Sequence, residues 1–134
     1  GCKMKTFIIG CSKTKKPITA PAVEVYDGPI WKTWRAHSNN ERCLALSAKY
    51  GLIESSMEIS DYDTLLGRDT TPESIIDLVK SQISRLDLSD DIYVAASKKY
   101  RQILRAAGLN FTFIEGGIGD KRKNLRQLIT GETK

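Results

Sequence analysis

The sequence predicts an α/β protein: a three-layer, Rossmann-like (flavodoxin-like) domain built on a mainly parallel sheet of four or five strands. Three observations predict it. Four short apolar runs have strand character, "TFIIG" at 6–10, "CLALS" at 43–47, "IYVAAS" at 92–97 and "FTFIE" at 111–115. Three of them are apolar nearly throughout instead of alternating, the pattern of strands covered on both faces. Helical patterns fall between and after these runs, and strict alternation of this kind predicts crossovers on a three-layer sheet.

The elements follow in order. Pro29 suits the first helical position of "PIWKTWRAHSN", where Ile30, Trp31 and Trp34 form one apolar stripe. Thr71, Pro72 and Glu73 make an N-cap, a first-turn proline and a favourable charge at the helix start. They lead into "ESIIDLVKSQISRL", with Ile75, Ile76, Val79, Ile83 and Leu86 on one face. Ser97 is placed to cap "KKYRQILRAAG", which buries Tyr100, Ile103, Leu104 and Ala107 and stops at Gly108, a natural residue just past a helix end. A last helix, "DKRKNLRQLIT", turns Leu125, Leu128 and Ile129 inward. Residues 12–28 and 48–70 are long connections with little periodicity, of the kind that often carries function.

With 134 residues the chain reads as a single domain, residues 1–134, long enough for one core and too short for two. Met4 reads as the natural start, with "GCK" an addition ahead of it and no signal peptide after it. No apolar run approaches the roughly 20 residues of a membrane helix. The formal charge of +5 favours phosphate-bearing partners without requiring nucleic acid. Cysteines at 2, 11 and 43 form no Cys-x-x-Cys pair and have one histidine for company, so neither a disulfide framework, a zinc site nor any other metal or cofactor is expected. A reducing cytoplasm fits that usage.

In open α/β sheets ligands bind beyond the carboxyl ends of the strands, where loops converge and helix N-termini point outward. The residues there are Cys11-Ser12-Lys13, Ser47-Ala48-Lys49, Ser97-Lys98-Lys99 and Glu115-Gly116-Gly117. Ser97, Lys98 and Lys99 are explained by a helix cap and a solvated first turn. "CSKTKK", with Ser12, Lys13 and Lys15, and "SAKYG", with Ser47, Lys49 and Tyr50, point instead to an anion-binding pocket, because they lie on long loops. The "GGIGD" stretch offers Gly116 and Gly117 as an anion nest beside Glu115, and a flexible turn explains it equally well. Tyr26 and Tyr50 suit stacking on a base or plugging the core rim.

Beyond "SAKYGLI" comes "EISDYD", which sets Glu58, Asp61 and Asp63 around Tyr62. Carboxylates near lysines in a partly dry cleft suit acid–base work or recognition of ribose hydroxyls, and hydrated loop acids are the plain alternative. Sharper motifs fail. A P-loop needs a second glycine that "GCSKTKKP" lacks, a dinucleotide fingerprint is missing, and a cysteine phosphatase loop would want arginine where Pro17 stands. The only histidine, His37, sits on a tryptophan-containing helix as a surface or core residue instead of a catalytic base.

The string "CSKTKKP…VYDGPIWKTWRAH…LALSAKYGLI…SDYD…YVAASKKYRQIL…IEGGIG" resembles an uncharacterised family of small bacterial and phage proteins, along nearly the whole chain. Leu46-Ser47-Ala48-Lys49-Tyr50-Gly51-Leu52 is the most specific part of the match. "GCSKTKKP" is also faintly similar to the Pro-Cys-Ser…Lys-Pro segment of archaeosine synthase, with Gly10 in place of proline and a shifted lysine–proline spacing. That second resemblance implies nucleobase chemistry.

The expected protein is therefore a small enzyme that binds a nucleotide or modified nucleobase at the strand ends and cleaves or transfers at an N-glycosidic or similar bond. Ser12, Lys13 and Lys49 hold the anionic part, and Asp61 or Asp63 is acid or base. Cys11 is a nucleophile or, by preference, a packing residue at the strand end. Two rivals are a binding module without turnover and a nucleic-acid-binding protein using Lys121, Arg122, Lys123 and Arg126. The oligomeric state is left open by the sequence.

Overall fold

A computed structural model describes residues 5–12, 14–38, 41–60, 62, 64 and 66–131, without the side chain of Ile118. In chain order the elements are β1 (Thr6–Gly10), β2 (Ala20–Pro21), α1 (Ala22–Val25), α2 (Pro29–His37), β3 (Arg42–Ser47), β4 (Gly51–Glu54) and β5 (Glu58–Ile59). They continue with α3 (Pro72–Leu86), β6 (Ile92–Ala95), α4 (Lys98–Ala106), β7 (Thr112–Phe113) and α5 (Ile118–Thr130). Five strands form one sheet in the order β4-β3-β1-β6-β7, parallel except for β4.

The sheet is central because its strands are apolar on both sides. Phe7 and Ile9 of β1 and Cys43 and Ala45 of β3 pack with Tyr26, Trp31, Trp34 and Leu125. The alternate residues Ile8, Leu44 and Leu46 pack with Ile75, Val79, Ile103 and Leu104. Alternating side chains thus feed two separate cores, one covered by α2 and α5 and the other by α3 and α4. Each buried leucine or isoleucine withdraws enough apolar surface for about 1.5–3 kcal/mol.

Local chemistry explains the helix ends. The Thr71 hydroxyl accepts from the Ser74 amide at 3.2 Å, with Pro72 opening α3. Gly108 takes φ +93°, and Gly108 and Leu109 donate back to the Arg105 and Leu104 carbonyls, which closes α4 as a left-handed cap. Arg42 fixes the far end of α3: its guanidinium donates to the Leu86 and Asp87 carbonyls and pairs with Glu54.

The two long connections differ from the expectation of irregular loops. Residues 51–54 form β4, antiparallel to β3 with Ser47 opposite Gly51. Gly51 makes the tight turn with φ +69°. The free edge of β4 is blunted by one side chain, since Gln82 accepts from the Leu52 amide at 2.7 Å and donates to the Tyr50 carbonyl at 2.9 Å. The connections also bind each other. β2 pairs with β5, the Ala22 amide reaches the Met57 carbonyl, and the Val23 amide reaches that of Ser55. Among the described residues no helix is long and apolar enough to cross a membrane.

Candidate functional site

All four parallel strands end at the same edge of the sheet, and β1 stands between β3 and β6. The chain leaves β1 for β3 on one side and later enters β6 on the other. The connections therefore diverge at the carboxyl ends of β1 and β6, where such sheets open a crevice.

A cleft of about 280 Å³ lies there, lined by Gly10, Cys11 and Ser12 after β1, by Ala96 and Ser97 after β6, by the start of α2, and by Tyr100 and Lys121. Its shape follows from close backbone approaches. A Cβ on Gly10 would lie 3.2 Å from that of Ala96, and one on Gly28 would lie 2.8 Å from that of Ser12. The Gly28 amide donates to the Ser12 hydroxyl at 3.2 Å, which itself donates to the Thr14 carbonyl at 2.6 Å. Ser12 therefore clips the loop onto the start of α2. Trp31 closes the same corner by donating from Nε1 to the Gly10 carbonyl at 2.9 Å. Arg35 completes the bracing through the Val23 and Tyr26 carbonyls and Asp27.

Cys11 sits where the cleft meets a cluster of phenols. Its amide extends the ladder to the Leu46 carbonyl, and its Sγ lies 3.6 Å from the Tyr100 hydroxyl. Behind it Tyr26 is wholly buried and shares a 2.5 Å hydrogen bond with the Tyr62 hydroxyl. Tyr26 stacks on Trp31, while Tyr62 meets Tyr26 and Tyr50 edge-on. Two lysines far apart in sequence share one ring: Lys15 Nζ lies 4.6 Å and Lys49 Nζ 5.4 Å from the centre of Tyr62.

Burial governs the proton affinities here. It pushes Tyr26 up to about 12, with the Tyr62 and Ser47 hydroxyls partly offsetting it. Tyr62 and Tyr100 rise further, by burial and then by the neighbouring Cys11. All three phenols are neutral at physiological pH. On the cleft's other side, burial lowers the Lys121 ammonium below its usual value, and Arg101 beside it adds to the shift. Arg101 lies 3.7 Å from the centre of the Phe113 ring, which Lys121 also faces at 5.1 Å, and the Arg101 Nε is buried without a hydrogen-bond partner among the described residues. Two cations and an unused donor around one ring favour an incoming anion.

A pH dependence follows from the raised phenol. Below pH 10 folded and unfolded chains both keep the Tyr26 proton; between about 10 and 12 only the unfolded chain loses it. Stability from this group is therefore present below pH 10 and is lost as pH rises through 12. Thermal melts from pH 8 to 12 should show that decline, by roughly 2–3 kcal/mol, reduced in Tyr26→Phe. A Tyr26→Phe profile identical to the parent's would contradict the assignment.

The structure brings together Cys11, Ser12, Lys15, Tyr26, Ser47, Lys49 and Tyr50, with Ser47 accepting from the Tyr50 amide at 2.9 Å. It sets Glu115, Gly116 and Gly117 apart, after the outermost strand β7 and outside the cleft lining. There Gly116 takes φ +109°, and a Cβ on it would lie 2.5 Å from that of Asp120. Lys13, Asp61 and Asp63 lie outside the described residues. Ser97 stands at the N-cap of α4, but its side chain makes no capping bond and lines the cleft. Tyr62, Tyr100 and Arg101 are not among the expected site residues, and Lys121 is expected only in the nucleic-acid contact stripe of the last helix. Tyr100 has the spacing of a core residue and Lys121 belongs to a basic run, so neither carried a signal of its own.

No curated protein and no solved structure matches the chain. A family model does, over residues 6–124, from the first residue of β1 into the second turn of α5. On that match, which takes in every residue of the cleft and of the tyrosine cluster, the chain belongs to a family of unknown function, DUF6884.

Proposed function

We propose that the protein binds a nucleotide or modified nucleobase in the cleft at the ends of β1 and β6, and cleaves or transfers at its N-glycosidic or a similar bond. The observation that carries this reading is the cleft itself: it opens where the strand order reverses, with an aromatic and thiol floor on one side and Lys121 backed by Arg101 on the other. The three-layer, flavodoxin-like reading of the fold belongs with it, supported by the β3-β1-β6-β7 order of the parallel strands and by helices on both faces.

In this reading the anionic group meets Lys121 and the first-turn amides of α4, beside the Ser97 hydroxyl. The flat base lies against Tyr100 and the start of α2. Lys15 and Lys49, held over Tyr62, add positive potential to the neighbouring wall. Asp61 and Asp63, the sequence neighbours of Tyr62, are the proposed acid and base, and Cys11 is a lining residue whose thiol is held by Tyr100. The similarity of "GCSKTKKP" to the archaeosine synthase segment supports a nucleobase over other planar ligands. The free thiols of Cys11 and Cys43 are in keeping with a reducing cytoplasm.

One observation favours a second reading, a module that binds without turnover: among the described residues no carboxylate and no histidine lines the cleft. Incubation with a panel of nucleotides and nucleosides, followed by mass spectrometry, separates the two. Base and sugar appearing as separate products mean an enzyme, an intact retained nucleotide means a binding module, and neither result rejects the site. Lys49 is exposed, so Lys49→Met should lower nucleotide affinity about 10-fold with an unchanged melting temperature. Equal affinity would remove Lys49 from the assignment.

A further inference from the structure

α2 and α5 serve two cavities. Toward the strand ends they give the cleft its Gly28–Trp31 wall and Lys121. Along the seam between them runs a separate groove of about 330 Å³, lined by Thr33, His37, Gly119, Arg122, Lys123 and Arg126. Lys121 and Arg122 are consecutive, one in each cavity. The groove thus begins beside the cleft.

Its chemistry is one-sided. Three permanent cations and a histidine line it, and no carboxylate among the described residues does. Asp120, the acid in the first turn of α5, packs against Gly116 instead. Arg122 is held in place, its Nε donating at 2.8 Å to the hydroxyl of Thr33, which is buried and in turn donates to the Pro29 carbonyl at 3.1 Å. A Cβ on Gly119 would meet nothing within 4 Å, so the groove floor is open there. A solvated helix face has no need of a trench with an anchored arginine. Spaced cations along an open groove match the regularly repeated phosphates of a nucleic-acid backbone.

We infer that the substrate of the cleft is a nucleotide within a single-stranded nucleic acid, whose flanking phosphates lie in the α2–α5 groove. This rests on the nucleotide reading of the cleft. One unpaired base enters the cleft, and the backbone beyond it follows Arg122, Lys123 and Arg126. The groove reads phosphate and carries no base specificity; selection of the base belongs to the cleft.

The test uses fluorescein-labelled 12-nucleotide single strands of DNA and of RNA, and separately the free mononucleotides AMP, GMP, CMP and UMP, titrated between 50 and 200 mM NaCl. Lys123 and Arg126 are exposed, so the double substitution Lys123→Gln with Arg126→Gln should leave the melting temperature unchanged. Strand binding should fall at least 10-fold at 50 mM salt, with the slope of log affinity against log salt shallower by about 1.4, two phosphate contacts at ~0.7 each. Mononucleotide affinity should be unaltered. The DNA and RNA arms say which sugar is accepted. Strand affinity and slope equal to the parent's, or no strand binding by the parent, overturns the inference while mononucleotide binding leaves the cleft standing. Groove-dependent strand binding with no mononucleotide bound leaves the groove as a polynucleotide surface and overturns the cleft as its reading site.

Discussion

Trp31→Ala is expected to remove about 3–5 kcal/mol of stability, the largest loss from any single side chain near the site. Trp31 is 1% exposed, stacks on Tyr26 with ring centres 5.3 Å apart, and bonds the last carbonyl of β1. Alanine would leave a cavity of indole size and an orphaned Gly10 carbonyl at the mouth of the cleft, two costs that add. A domain of this size has about 5–15 kcal/mol in total, so much of it would go. Urea denaturation checks this, with Trp31→Phe as the control: it keeps most of the ring, loses the N–H donor and should cost about 1–2 kcal/mol. A loss below about 1 kcal/mol for Trp31→Ala would mean that the corner joining β1 to α2 is not held as described.

The second large effect is on binding. Lys121→Glu should weaken nucleotide affinity at least about 100-fold, or roughly 2.7 kcal/mol, while the fold is retained. The substitution changes the local charge by two units on the side of the cleft where Lys121 and Arg101 share the Phe113 ring. Attraction for a phosphate becomes repulsion in a partly dry site, where charges act more strongly than in water. The introduced carboxylate would also face Arg101, relieving the like-charge contact that lowers the Lys121 proton affinity, so the melting temperature should not fall. Lys121→Met, which removes charge without reversing it, should give an intermediate loss of about 10-fold. Isothermal titration with a tight-binding nucleotide measures both; equal affinity in all three proteins would place the phosphate elsewhere.

Much of the fold was legible because its signals are local. "TFIIG" and "CLALS" are apolar nearly throughout, and they lie where the sheet has helices on both faces. Thr71-Pro72-Glu73 and Gly108 mark helix ends through bonds that span only a few residues. β4 was not legible, since "GLIE" has two apolar residues and becomes a strand by lying against β3 and by the Gln82 amide, which arrives from 30 residues further on. β2 and β5 are two residues each and exist only because they meet.

The site divides the same way. Cys11, Ser12, Ser47 and Lys49 stand out in the sequence because ligands of open α/β sheets bind beyond the strand ends, and the structure places Cys11 and Ser12 in the cleft and Ser47 and Lys49 at the tyrosine cluster beside it. Tyr62 escaped notice as a scaffold because its role depends on the Tyr26 hydroxyl, 36 residues away. The close approach of Asp120 to Gly116 is not legible in the sequence for a related reason, since it depends on how the turn enters α5.

The most direct measurement of the central claim is a two-dimensional NMR titration of the folded protein with the tightest-binding nucleotide, read at the backbone amides. The account predicts shifts concentrated at Cys11, Ser12, Gly28, Ala96, Ser97 and Lys121, on both sides of the β1–β6 opening. Shifts confined to other surfaces, with these six amides still, would contradict it.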